Sequence, residues 1–278
     1  MILPATYQNG FAPRDGQPLY PSLWRGCVFA AAPCLGPTGL TLRDQSGFKN
    51  NGTLTNGPTW AASQGKYAMS FNSLSSQRVE HGITPQLEVK QITVAAWFST
   101  TNFGTLGSGN TIIDKARTVG SAWIMSVGAR GTSGYNGKLT FEAYDGTWKV
   151  VGSAATVSDG IMHYGCCTYD GATAVVYVDG QEVGRSTWSI ALPYTAAGVM
   201  NIGRYVGNND NYFSGNLDNV MAYNRALSPD EIRTLATRRG IAYEMAPRRR
   251  SQAQVTVAPL RYNLFSGSIG NTDVIGAS

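Results

Sequence analysis

The residues able to do chemistry in this 278-residue chain are few and scattered. Its glutamates stand at Glu80, Glu88, Glu142, Glu182, Glu231 and Glu244, and none has a second carboxylate two positions on. That spacing decides the matter for a strand, because residues i and i+2 share one face. A retaining glycosidase needs its acid and nucleophile about 5 to 5.5 Å apart. Asp230 and Glu231 read instead as the first turn of a helix, where the dipole favours acidic side chains. His81 and His163 stand far apart, and no G-x-S-x-G, H-E-x-x-H or phosphate-loop pattern occurs. The sequence predicts no catalytic residues and no enzyme. Asn209, Asp210 and Asn211 make an oxygen-rich loop, the kind of donor set a hard cation such as calcium takes.

The cysteines point away from metal chemistry. Cys27 and Cys34 are seven apart and Cys166 and Cys167 adjacent, and neither spacing is that of a zinc site. A Cys27–Cys34 disulfide is geometrically open, but free buried thiols are expected. Neighbours on a strand face opposite ways, so one of Cys166 and Cys167 should be buried and the other outward.

The elements that must position these residues are β-strands. Apolar residues make up 42% of the chain, enough for a sizeable core, while charged residues are only 14% and glycines number 33. Against the roughly 25% charge of average soluble proteins, that is a β-rich, turn-rich profile. The net charge of +5 is concentrated at the end. From Arg225 onward the arginines outnumber Asp230, Glu231, Glu244 and Asp273 two to one, while the rest is nearly neutral. A basic tail can serve nucleic acid or an acidic protein surface. Arg248, Arg249 and Arg250 alone read as a solvated linker run, so nucleic acid is not the expected partner. Met1-Ile2-Leu3-Pro4 shows no signal-peptide pattern, and no segment approaches 18 continuous apolar residues. The expectation is assembly inside a cell, with thiols reduced and no membrane partner.

In chain order, residues 1–22 carry Pro4, Pro13, Pro18 and Pro21 without periodicity and read as an extended arm. Leu23 to Ala32 is the first apolar run and an expected strand. Tyr67, Met69 and Phe71 alternate with polar positions, as do Ile92, Val94, Ala96 and Phe98, with Trp97 on the other face. Trp97 and Trp123 are both assigned to core packing. Ile112 to Lys115 and Trp123 to Val127 read as strands, and Leu139 to Ala143 pairs with Trp148 to Val151 about an Asp145-Gly146 turn. Asp170-Gly171 and Asp179-Gly180 are further hairpin turns. Phe213 to Tyr223 is the last strand. Ser228, Pro229 and Glu231 then start a capped helix, and Gly240 stops it.

Three stretches carry a resemblance. Phe213, Gly215, Leu217, Asp218 and Val220 run into Tyr223–Ser228 in the form F-x-G-x-L-D-x-V…Y-N-R-A-L-S. Arg43 to Leu54 has the form D-x-S-G-x-x-N-x-G-x-L, and Asp159 to Gly180 the form D-G-x-x-H…T-Y-D-G…V-D-G. Together with the Thr93–Phe98 strand these are similar to laminin-G-like domains of the concanavalin-A-like superfamily, over roughly residues 24 to 240. Met162, Cys166 and Cys167 depart from the pattern at core positions. The resemblance implies an antiparallel two-sheet jelly roll (residues 23–240) with one short C-terminal helix and extended terminal arms. It places Asp44 and Asp218 as candidate calcium ligands, to which the oxygen-rich loop adds Asp210, against a simpler role of Asp44 and Asp218 as caps of turns. It also puts His163 at a strand start in a structural role. Glycosidases of the superfamily carry E-x-D-x-x-E on one strand, which this chain lacks.

For function the sequence supports two expectations. The first is a non-enzymatic virion protein of a tailed bacteriophage, a capsid decoration or tail component assembled in the host cytoplasm. The N-terminal FAPRDGQPLYPSLWRGC and the YEMAPRRR run resemble small laminin-G-like proteins encoded by phages. Residues 241–278 would then be an assembly extension, with Arg248, Arg249, Arg250, Val255, Val257, Leu260, Tyr262 and Phe265 contacting other virion subunits or copies of the chain. The second is a secreted carbohydrate-binding or adhesion lectin module, which a signal peptide or a repeated domain would favour. A surface glycan is a possible ligand in both.

Overall fold

The computed structural model describes residues 20–103, 110–116, 121–129, 132–194, 198–207, 211–237 and 239–241. A helical turn, α1 (Pro21–Trp24), leads into β1 (Cys27–Ala31), β2 (Thr41–Leu42), β3 (Gly52–Thr55), β4 (Thr59–Ser63) and β5 (Lys66–Phe71). Next come β6 (Arg78–Ile83), β7 (Ile92–Ser99), β8 (Asn110–Ala116), β9 (Ser121–Val127), β10 (Leu139–Tyr144) and β11 (Trp148–Gly152). The remaining described elements are β12 (His163–Tyr169), β13 (Thr173–Val178), β14 (Gln181–Thr187), β15 (Val199–Ile202), β16 (Gly215–Tyr223) and α2 (Pro229–Leu235). One sheet runs β14-β13-β12-β7-β16-β5-β4 with β1 added to β16, and the other runs β11-β10-β9-β8-β15-β6-β3-β2. The pairings are antiparallel. The expected two-sheet sandwich is the observed architecture.

Period-two alternation builds the core between the sheets. Ile92, Val94, Ala96 and Phe98 of β7 enter it with Met69, Phe71, Trp123, Met125 and Phe141. Hairpin chemistry sets the registers. Asp179 and Gly180 have φ of +50° and +80°, the pair of positive values a type I′ turn requires. Gly215 opens β16 at φ +140°, and a Cβ there would lie 2.1 Å from the Ser99 carbonyl oxygen, so only glycine fits.

A second apolar cluster covers the outer face of the first sheet. Ala95, Tyr164, Cys166, Tyr177, Met221 and Tyr223 project from that sheet, and Leu23, Leu227, Ile232, Leu235 and Ile241 cover them. This cover corrects the expectation for Cys166 and Cys167. They do face opposite ways, Cys166 into the outer cluster and Cys167 into the main core, but both are fully buried. Cys27 and Cys34 are likewise buried and unbridged. Trp123 is fully buried in the main core, and Trp97 is partly buried against the outer cluster. The first strand is also shorter than expected. Pro21 opens a helical turn and Gly26, at φ +76°, closes it, so pairing begins at Cys27.

Two charged clamps hold this cover. Asp218, fully buried in β16, accepts from Cys34 N (2.9 Å) and Asn219 N (2.8 Å) at one oxygen and from Arg239 Nε (2.9 Å) at the other. Arg239 also donates to the Ser63 and Tyr67 carbonyls at 2.8 and 2.7 Å. Arg225 pairs with both oxygens of Glu231 at 2.8 and 2.7 Å and donates to the Arg25 and Ser22 carbonyls, each at 2.8 Å. Glu231 completes the expected capping box with Ser228.

Removing one partner of a buried ion pair leaves an uncompensated charge and costs about 3–5 kcal/mol. Arg239→Met and Asp218→Asn should each lower the urea midpoint by that equivalent, and the double variant should cost less than the sum. Single variants within about 1 kcal/mol of wild type would show the clamp to be dispensable. The second clamp sets a pH dependence. Hydrogen bonds from Arg225 hold the Glu231 carboxyl down at about 2, against an ordinary value of 4.5. Its folded-state pKa is depressed, so its stabilisation is present above pH 4.5 and is lost as pH falls toward about 2. Melting curves across that window should show a steeper loss for wild type than for Glu231→Gln, and parallel curves would refute the assignment.

Candidate functional site

The expected turn around Asp44 forms, and it shapes an open cleft of about 500 Å³ lined by Thr38, Thr41, Arg43, Asp44, Gln45, Lys49 and Asn51. Such a volume lies within the roughly 300–1,000 Å³ of small-molecule sites. Asp44 organises the loop. Its Oδ1 accepts from Ala30 N (3.0 Å) and Ser46 N (2.8 Å), and its Oδ2 from Ser46 Oγ (2.6 Å) and Asn50 N (2.8 Å). Asn51 Oδ1 in turn accepts from Asp44 N at 2.9 Å. His81 anchors the loop from below by donating from Nδ1 to the Asn50 carbonyl at 2.8 Å, while its ring meets Phe29 edge-on. Burial pushes the His81 imidazole down to about 4, so it is neutral and holds one tautomer. Arg43 and Lys49 are exposed, and neither side chain is paired with any described residue. Phe48 in the same loop is 48% exposed.

Asp44 and Asp218 thus both cap backbone amides, one in the cleft loop and one inside the sandwich. Among the described residues no group of three or more His, Cys, Asp or Glu is placed to hold a metal. Asp210, Arg248, Arg249, Arg250, Val255, Val257, Leu260, Tyr262 and Phe265 lie outside the described residues. His163, first residue of β12, sits 2.8 Å from Asp179 and 3.2 Å from Asp159. Burial alone would lower its pKa, but the hydrogen bonds and charges of the two aspartates raise it. It holds the β13–β14 turn to the start of β12.

A reading along single strands misses a row of polar groups across the second sheet. Direct register partners run Glu80–Asn201–Asp114–Ile124–Glu142, from β6 through β15, β8 and β9 to β10. Opposed residues of antiparallel strands share a face, so three carboxylates stand on the face turned away from the core. Asp114 and Glu142 are two strands apart, roughly 10 Å between Cα atoms at about 4.8 Å per strand. Both are fully buried. Val206 N donates to Asp114 Oδ2 at 2.6 Å, and Ser126 Oγ to Glu142 Oε1 at 3.0 Å.

Sheet topology, one capped helix among the described residues and an open polar rim define a lectin-like jelly-roll sandwich. More particularly, residues 73–233, over half of the chain, match the family model described as the concanavalin A-like lectin/glucanases superfamily, in its laminin G form. The chain belongs to that family. No curated protein sequence matches it. Among solved structures, domain 4 of AbnA, an extracellular arabinanase of Geobacillus stearothermophilus in complex with arabinotriose, superposes with a TM-score of 0.61. It is 18% identical over 76% of this chain and 98% of that domain. The binding domain of Paraclostridial Mosquitocidal Protein 1 superposes at 0.59 with 17% identity, over 77% of this chain and 52% of that one. The binding domain of botulinum neurotoxin DC, in complex with SialylT, gives 0.58 and 9% over the same shares. The chain therefore spans about half the length of these toxin domains, and the likeness is one of fold.

Because Asp44 and Asp218 give their oxygens to donors of the chain itself, their stabilising roles should not need calcium. Excess chelator should leave the melting temperature unchanged, whereas Asp44→Ala should cost on the order of 3 kcal/mol. A melting temperature that falls on chelation and recovers with calcium would reinstate a metal, since a ligand of the native state stabilises by mass action.

Proposed function

We propose that this chain is a lectin-like recognition module that binds a saccharide, or a receptor through its saccharide, and hydrolyses nothing. The observation that carries this reading is a contrast between two polar surfaces. The carboxylates Asp114 and Glu142, which an acid–nucleophile mechanism would need, are sealed, whereas the cleft at Arg43, Lys49 and Asn51 is open. Saccharide or receptor recognition is also what the names of the neighbours attest, through arabinotriose on the arabinanase domain and SialylT on the neurotoxin domain. A phage virion is a location for such a module. It is supported by the terminal runs of the sequence, and by none of the neighbours named above.

A glycan array followed by calorimetry on the intact chain tests the reading. At least one saccharide class should bind with a Kd of about 1 mM or tighter, near −4 kcal/mol, and no reducing ends should appear on prolonged incubation. Hydrolysis that disappears in a folded Asp114→Asn or Glu142→Gln variant would overturn the non-enzymatic part. Silence across the array would overturn recognition itself.

A further inference from the structure

We infer that the Arg43–Lys49 cleft selects acidic saccharides, those carrying carboxylate or sulfate groups, over neutral ones; this deepens the recognition reading and rests on it. The hydrogen-bonding inventory of the cleft decides the class of ligand. Asp44 is its one carboxylate, and both oxygens are already occupied by Ala30 N, Ser46 N, Ser46 Oγ and Asn50 N. The side-chain oxygen of Asn51 is taken by Asp44 N, which leaves its NH2 to donate. Thr38 has its hydroxyl directed to the Thr41 carbonyl. The charged groups that remain exposed, with no partner among the described residues, are the guanidinium of Arg43 and the ammonium of Lys49, while Thr41 and Gln45 add neutral groups that both donate and accept.

A neutral sugar can match its hydroxyls to Thr41, Gln45 and the two cations, but it brings no charge of its own to pair with Arg43 and Lys49. A carboxylate or sulfate presents only acceptors, and its bonds to guanidinium and ammonium are charge-assisted. Asp44, Asn51 and His81 brace the loop backbone through hydrogen bonds of the chain itself, so the two cations project from a held backbone. Nothing in the family match assigns this ligand, because the cleft precedes residue 73, where the match begins.

The test is calorimetry on the full chain with trigalacturonate and with sulfated maltotriose, against uncharged maltotriose and arabinotriose. At least one charged trisaccharide should bind about tenfold or more tightly than the uncharged pair, and the better of the two identifies carboxylate or sulfate as the group read. Raising salt from low to physiological strength should weaken that binding, as screening requires for exposed charges. Arg43→Gln/Lys49→Gln should lose the preference while its melting temperature stays at the wild-type value, because both side chains are exposed and have no partner among the described residues. Arg43→Lys/Lys49→Arg should keep most of it. Equal binding of charged and uncharged sugars, or an unchanged preference in the glutamine variant, overturns the selectivity and leaves recognition standing. Binding of none of the four by wild type, with an array that is also silent, removes recognition and the selectivity together.

Discussion

The cover over the outer face of the first sheet depends on one buried carboxylate. Asp218 lies in β16, the strand that pairs with β1, β5 and β7, at the point where its register against β7 shifts. There it receives Arg239 from beyond α2, and the same guanidinium caps carbonyls of the β4–β5 hairpin. Lys66 on that hairpin returns a hydrogen bond to the Arg239 carbonyl. Burial pushes the Asp218 carboxyl up, and the Arg239 charge and hydrogen bond oppose that rise. The pair is less a source of net stability than a device of position. With Arg239 seated, α2 and Ile241 are held over Tyr223 and Met221, and the first sheet acquires apolar cover on both faces.

Much of this frame was legible in the sequence because its signals are local. Alternation in Ile92–Phe98, the Asp-Gly turns and the Ser228–Glu231 capping box each act within a few residues, and all of them formed. The errors arose where a long-range contact overrides local pattern. Cys166 is buried because Leu23 and the segment from Leu227 to Ile241 cover it, and no reading of β12 alone reveals a cover supplied from so far along the chain. Leu23 and Trp24 looked continuous with the first strand by their apolarity, yet Leu23 serves the outer cluster from the helical turn Pro21–Trp24.

The site was less legible for a related reason. Asp44 was found as part of a turn motif, but the cleft around it depends on which hydrogen-bonding groups that motif has used up, and only geometry shows this. The row Glu80–Asn201–Asp114–Glu142 was invisible in sequence because its members come from four strands, joined by register and not by spacing. A search confined to positions i and i+2 finds carboxylates that share one strand and passes over those that share a sheet. The structure also shows their surroundings, since Asp114 and Glu142 are both buried and accept from Val206 N and Ser126 Oγ.

Asp44 and Asp218 look alike in sequence, each an aspartate followed by small or amide residues, and each uses both oxygens on groups of the chain. Their partners separate their consequences. Asp218 draws in Arg239, so its charge is matched inside the protein and nothing is left to act outward. Asp44 is satisfied by three backbone amides and one hydroxyl, all neutral, and claims neither of the cations in its own loop. Its charge still attracts them, but exposed charges interact weakly in high dielectric, and Arg43 and Lys49 remain exposed with no partner among the described residues. A loop held together by dipoles therefore keeps its cations available at the surface. Had either been recruited to neutralise Asp44, the cleft would have been closed to an anionic ligand by its own chemistry.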